Sequence, residues 1–145
     1  MLKKVLVLVD GAENSFRALN YAIELCKLSA GELIVMTSVK TDMKVTAEAA
    51  PLDQELRTQA NNEAVKTGNK ALGSAKAVLD GSGISVQYIL EFGSPAAMAM
   101  KTVEKFECDT IVVGSRGLGT IKGILSDSVS TKLVQDAHVP VIVIK

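Results

Sequence analysis

The segment GSRGLGTIKGILSDSVS, Gly114–Ser130, brings glycines, hydroxyls and two cations together directly after an apolar run that ends at Val113. A glycine-rich loop that opens into a helix presents backbone N–H groups and the positive end of the helix dipole, which favours an anion. Arg116, Lys122, Ser128 and Ser130 add side-chain donors, so the chemistry this pattern supports is phosphate binding. Neither GxGxxG nor GxxxxGK[ST] occurs, and a phosphate would be held in another way. The same glycines would also let a long loop turn. Near the loop's end stands Asp127, a carboxylate where a bound anion would meet the helix N-terminus. The other chemical candidate is Asp10, in Val9-Asp10-Gly11. It is either an acceptor for a ligand or a turn former, since Asp-Gly is common after strands.

The remaining reactive residues read as structural. Cys26 and Cys108 are the only cysteines and lack metal spacing; Cys26 falls on an apolar helical stripe, and both are expected to be small buried residues. His138 is the only histidine and reads as a loop residue. No nucleophile–base pair is evident and no residue is placed to activate water, so an enzyme finds little support. Acids and bases balance at 16 each, which gives no long-range attraction to nucleic acid or to an anionic membrane. No segment approaches the ~18 apolar residues of a membrane span. The apolar run after Lys4 stops at Asp10, too short for a secretory signal, and a cytoplasmic protein is expected.

The elements that must position these residues are legible from periodicity. Apolar, β-branched runs at Lys4–Val9, Glu32–Ser38, Ser85–Leu90, Thr110–Val113 and Val139–Ile144 are near-continuous, as in strands covered on both faces. Helices are predicted between them. The first runs from Asn14 to Ser29, capped by Asn14 or Ser15 and ended by Gly31. The second runs from Leu52 to Leu79, with Leu56, Ala60, Ala64, Ala71, Ala75 and Val78 inward and weakened by Gly68 and Gly73. The third starts at Ser94-Pro95 and ends near Phe106; the last runs from Asp127 or Ser128 to about Asp136. The β-α alternation predicts one α/β domain over 1–145, an open five-stranded parallel sheet in the order 3-2-1-4-5 with helices on both faces. The long connection Val39–Pro51 is a candidate lid or a plain insertion. In such sheets ligands bind beyond the carboxyl ends of the strands where the order reverses, here between the first strand, ending at Asp10, and the fourth, ending at Gly114.

The segments VDGAENSFRALNYA, DTIVVGSRG and SDSVSTKLVQDAHVPVIVI, in this order, resemble the universal stress protein family over the whole chain. The resemblance implies a Rossmann-like, adenine nucleotide alpha hydrolase-like fold and a nucleotide-dependent stress-response sensor more than an enzyme, with ATP turnover slow where present. It implies Gly-x2-Gly-x9-Gly-Ser/Thr after the fourth strand for the phosphates. It also implies an Asp after the first strand and a small apolar residue after the second for the adenosine part. Carried over, the site is Asp10, Val39, Val113, Gly114, Gly117, Asp127, Ser128, Val129 and Ser130. The resemblance further implies homodimers through the last strand, Val139–Ile144, whose exposed edge gives a physical reason for pairing.

One position departs from that pattern. Asp127 stands where the third glycine belongs. Two unit charges ~4 Å apart repel by ~1 kcal/mol in water and ~4 kcal/mol at an effective dielectric near 20. Asp is also a strong N-cap and can take the N–H groups a phosphate would use. Mg²⁺ or Mn²⁺ can bridge the carboxylate and the phosphates, the carboxylate can point away, or the site can prefer AMP or adenosine over ATP. The alternative reading is a dimeric interaction protein in which Asp127 blocks the phosphate site. A response-regulator receiver fits poorly, because the first strand ends in one Asp and the third in Leu90-Glu91-Phe92.

Overall fold

The computed structural model describes residues 2–40, 51–115 and 128–145; of residues 51–60 and 128 only the backbone is described. The elements are β1 (Lys4–Leu8), α1 (Glu13–Ser29), β2 (Glu32–Val39), α2 (Pro51–Leu79), β3 (Val86–Phe92), α3 (Pro95–Phe106), β4 (Thr110–Gly114), α4 (Ser128–Asp136) and β5 (Val141–Ile144). They form one sheet in the order β3-β2-β1-β4-β5, parallel throughout, as the alternation predicts.

The continuous apolar runs follow from burial on both faces. Val5, Val7, Val9, Leu33, Val35 and Val112 pack with Ala18, Leu19, Ala22 and Ile23 of α1 and Ala75 and Leu79 of α2. The alternate residues Leu6, Leu8, Ile34, Met36, Ile111 and Val113 pack with Ala96, Ala99 and Val103 of α3 and Leu133 of α4. Each fully buried aliphatic side chain contributes roughly 1.5–3 kcal/mol. At the amino-terminal end of the sheet Asp109 joins β1 to β4. Its Oδ2 accepts the Lys3 N–H at 2.8 Å and the Lys4 N–H at 3.4 Å, and its Oδ1 accepts the Thr110 hydroxyl at 3.1 Å.

Several boundaries differ from the sequence reading. Helix α1 starts at Glu13, with Ala12 at the N-cap and no side-chain capping bond. Ser15 is inside the helix because its hydroxyl serves the Asp10 turn. The left-handed residue that ends α1 is Ala30, at φ 55. Gly31 is occupied otherwise: a Cβ there would collide with the Leu2 carbonyl oxygen. Ser94 and Pro95 start α3, although the Ser94 hydroxyl makes no capping bond. Helix α2 runs unbroken through Gly68 and Gly73, and Leu79 is buried while Val78 is 45% exposed. Strand β5 begins at Val141, after Pro140, which has no N–H to give a ladder; the Pro140 carbonyl still accepts from Ile111 at 2.9 Å. Residues 41–50 of the candidate lid, and Gly117 and Asp127, lie outside the described residues. Among the described residues no helix is long and apolar enough to cross a membrane.

Cys26 and Cys108 are buried and free. Burial first, and the Asp109 charge second, raises the Cys26 thiol from its ordinary 9.0 to about 11. Burial also raises Cys108 to about 11, opposed by Lys4 and helped by Asp109. The thiolate is the reactive form, so neither thiol is poised for redox chemistry. The native state holds these protons more tightly than the unfolded chain does. The stability tied to them is therefore complete below pH 9 and is lost as pH rises through about 11. We expect native protein to resist iodoacetamide at pH 8 while denatured protein takes up two adducts, read by intact mass, and Cys26→Ala with Cys108→Ala to flatten the fall in stability at alkaline pH.

Candidate functional site

Strand β1 leads directly into the site. The ladder continues past Leu8 through the Val9 N–H, which donates to the Met36 carbonyl at 2.9 Å. The Asp10 Oδ1 then accepts the Ala12 N–H at 2.9 Å, a side-chain turn of the kind Asp favours, and Gly11 takes a left-handed φ of 86. The Asp10 N–H donates to the Ser15 hydroxyl at 3.2 Å, and that hydroxyl donates to the Ala12 carbonyl at 2.9 Å. The turn reading of Asp10 is thus correct, and the turn also fixes where the carboxylate sits.

Asp10 lines a cavity of about 260 Å³ with Thr37, Ser38, Val39 and Lys40 at the carboxyl end of β2 and Ala64, Thr67, Gly68 and Ala71 on α2. That is just below the ~300–1,000 Å³ usual for small-molecule pockets. The cavity exists because α2 approaches the sheet on small residues. A Cβ on Gly68 would stand 2.5 Å from Leu90 Cδ1 and 2.7 Å from Val39 Cγ1, so only glycine permits this approach.

The fourth strand reaches the same end of the sheet. Val7 of β1 pairs with Val112 of β4; continuing that register puts Gly114 level with Val9, with Asp10 one residue beyond. Gly114 is packed on the first turn of α1, where a Cβ would collide with the Asn14 side-chain oxygen. The Ser115 N–H donates to the Ile144 carbonyl at 2.8 Å. The other sequence-derived candidates are distributed unevenly. Val113 is buried among α3 and α4 residues, and Val129 packs against the same cluster, so their side chains belong to the core. Ser128 opens α4, and Ser130 is buried and already engaged. Gly117 and Asp127 lie outside the described residues.

The sequence reading missed Thr37, Ser38, Lys40, Thr67 and Gly68 as cavity walls. The signal was present for Thr37, which is two residues from Val39 and so on the same face of β2, and for Gly68, which continues the i, i+4, i+7 spacing of Ala64 and Ala71. Among the described residues no group of three or more His, Cys, Asp or Glu is disposed to hold a metal.

The profile of the Universal stress protein family matches residues 1–145. The chain belongs to the universal stress protein family. This universal stress protein is 29% identical to Universal stress protein YxiE of Bacillus subtilis (strain 168) over 148 residues, covering 100% of both chains. It superposes on protein MJ0577 of Methanocaldococcus jannaschii at TM-score 0.82, with 26% identity, over 100% of this chain and 96% of that one. Two further relatives have been solved with adenine mononucleotides. One is a universal stress protein of Archaeoglobus fulgidus in complex with dAMP, at 19% identity and TM-score 0.72, each chain covered to 100%. The other is an Arabidopsis thaliana family member with AMP bound, at 24% identity and TM-score 0.66, over 99% of this chain and 91% of that one.

Proposed function

We propose that this universal stress protein is a cytoplasmic regulatory module, dimeric through β5, that binds an adenine nucleotide. The adenosine part occupies the cavity beside Asp10 and Val39, and the phosphates extend toward Gly114, Gly117, Ser128 and Ser130. The observation that carries this reading is that Asp10 and Val39, which the family resemblance assigns to adenosine, are walls of one cavity at the carboxyl ends of β1 and β2. That is where open α/β sheets take ligands. The relatives with AMP and dAMP support the ligand class. Asp127 favours the fewer charges of a monophosphate, and Mg²⁺ or Mn²⁺ would recover ATP by bridging the carboxylates and phosphates. Pairing through β5 is supported by its position at the sheet edge, where unpaired N–H and C=O groups seek a partner.

The test is calorimetric titration with AMP, ADP and ATP, with and without Mg²⁺, alongside native mass for subunit count. Wild type is expected to bind AMP, and Asp10→Ala to weaken every adenine ligand by about 10–100-fold, as loss of a hydrogen bond to a charged group does. Binding of none of the three, with the dimer intact, would favour the interaction-protein reading that Asp127 motivates.

A further inference from the structure

Among the described residues five hydroxyl side chains are buried: Ser15, Thr37, Thr102, Thr110 and Ser130. Ser15 serves the Asp10 turn, Thr102 donates to the Met98 carbonyl at 2.8 Å, Thr110 donates to Asp109, and Ser130 is engaged. Thr37, only 3% exposed, differs: among the described residues its hydroxyl forms no hydrogen bond. It lines the cavity from the face of β2 that α2 covers. Its methyl group lies toward Gly68, where an added Cβ would come within 3.4 Å of it.

Of the other polar walls, the two hydroxyls are committed. The Ser38 hydroxyl donates to the Gly93 carbonyl at 2.6 Å and the Thr67 hydroxyl to the Glu63 carbonyl at 3.0 Å. Asp10 Oδ1 holds the Ala12 N–H, and Lys40 is exposed. A buried hydroxyl without a partner weakens the folded state, and valine has the same shape without that defect. Among the described residues nothing satisfies this threonine, so its hydroxyl is left for whatever occupies the cavity.

We propose that Thr37 is a specificity-determining residue whose hydroxyl hydrogen-bonds a polar edge atom of the bound purine, a ring nitrogen as acceptor or an exocyclic amine as donor. This rests on the nucleotide reading above. A site with a buried polar group discriminates against ligands that leave it unpaired far more strongly than an apolar wall can. Asp10 orients the ligand from β1, and Thr37 reads its base from β2.

The experiment pairs two measurements on Thr37→Val, which swaps the hydroxyl for a methyl. Ligand-free Thr37→Val should unfold at a higher denaturant midpoint than wild type, and its AMP affinity should fall about ten-fold, the loss of one hydrogen bond. Thr37→Ser, which keeps the hydroxyl, should retain AMP affinity to within a few-fold. Wild type that binds AMP while Thr37→Val binds it equally overturns this inference alone. A ligand-free Thr37→Val that is less stable than wild type also overturns it, by showing the hydroxyl already satisfied. Wild type that binds no AMP overturns the nucleotide reading and this one with it.

Discussion

Asp127→Gly should bind ATP at least ten-fold more tightly than wild type in the absence of divalent cations, with a smaller gain for AMP. The family pattern has glycine at this position, and this chain has a carboxylate. A repulsion of ~4 kcal/mol per charge pair at ~4 Å and an effective dielectric near 20 is more than enough to produce that change, and ATP presents more charges than AMP. The gain would be read in folded protein, since even at a helix N-cap an Asp replaced by Gly costs only a few tenths of a kcal/mol. Asp127→Asn separates the causes, because it removes the charge and keeps a side chain that can cap. If Asn matches Gly, charge is the obstacle; if only Gly gains, the backbone must approach the phosphate closely. Mg²⁺ should narrow the difference between wild type and Asp127→Gly. Unchanged ATP affinity in both variants would sink the electrostatic account. Titration calorimetry at fixed ionic strength makes the comparison.

The second large effect concerns α2. Gly68→Leu should lower stability by about 1–3 kcal/mol, as overpacking does, and reduce AMP affinity by at least ten-fold. The added side chain meets Leu90 and Val39, and Val39 is 8% exposed with the stiff χ1 of a β-branched residue. Relief must come from lifting α2, which deforms the cavity shared by Val39, Gly68 and Ala71. Gly68→Ala is the informative control. It gains ~1 kcal/mol of helix propensity, but its Cβ alone would stand 2.5 Å from Leu90 Cδ1, which can swing aside, and 2.7 Å from Val39 Cγ1, which cannot, so stability should fall by less than in Gly68→Leu while AMP binding still weakens. Denaturant midpoints and AMP titrations on the two variants check this. A Gly68→Leu protein with native stability and binding would mean that α2 does not rest on the sheet so closely.

Much of the scaffold was legible because the parallel sheet is buried on both faces, which writes β1 and β4 as unbroken aliphatic runs. Legibility fell where a residue answers to two demands. Glu91 ended the apolar run of β3 early, yet β3 is an edge strand and the ladder continues to Phe92, opposite Val39. Ser15 reads as a helix cap, and its hydroxyl is spent on Asp10 instead. Gly68 reads as a flaw in a helix, because the Leu90 and Val39 side chains it makes room for are remote in sequence. Asp10 and Val39 could be named from a family pattern; Thr37 could not, since its want of a partner among the described residues becomes visible only once the chain is folded.

The Asp109 brace has a consequence for how such a chain can diverge. It fastens β1 to β4 at the end of the sheet remote from the Asp10 cavity, using backbone N–H groups of Lys3 and Lys4 that every substitution but proline preserves. Foundations and reading head thus occupy opposite rims. Descendants of this chain are free to retune Thr37, Val39 or Asp127 for a new effector while inheriting the same footing unchanged.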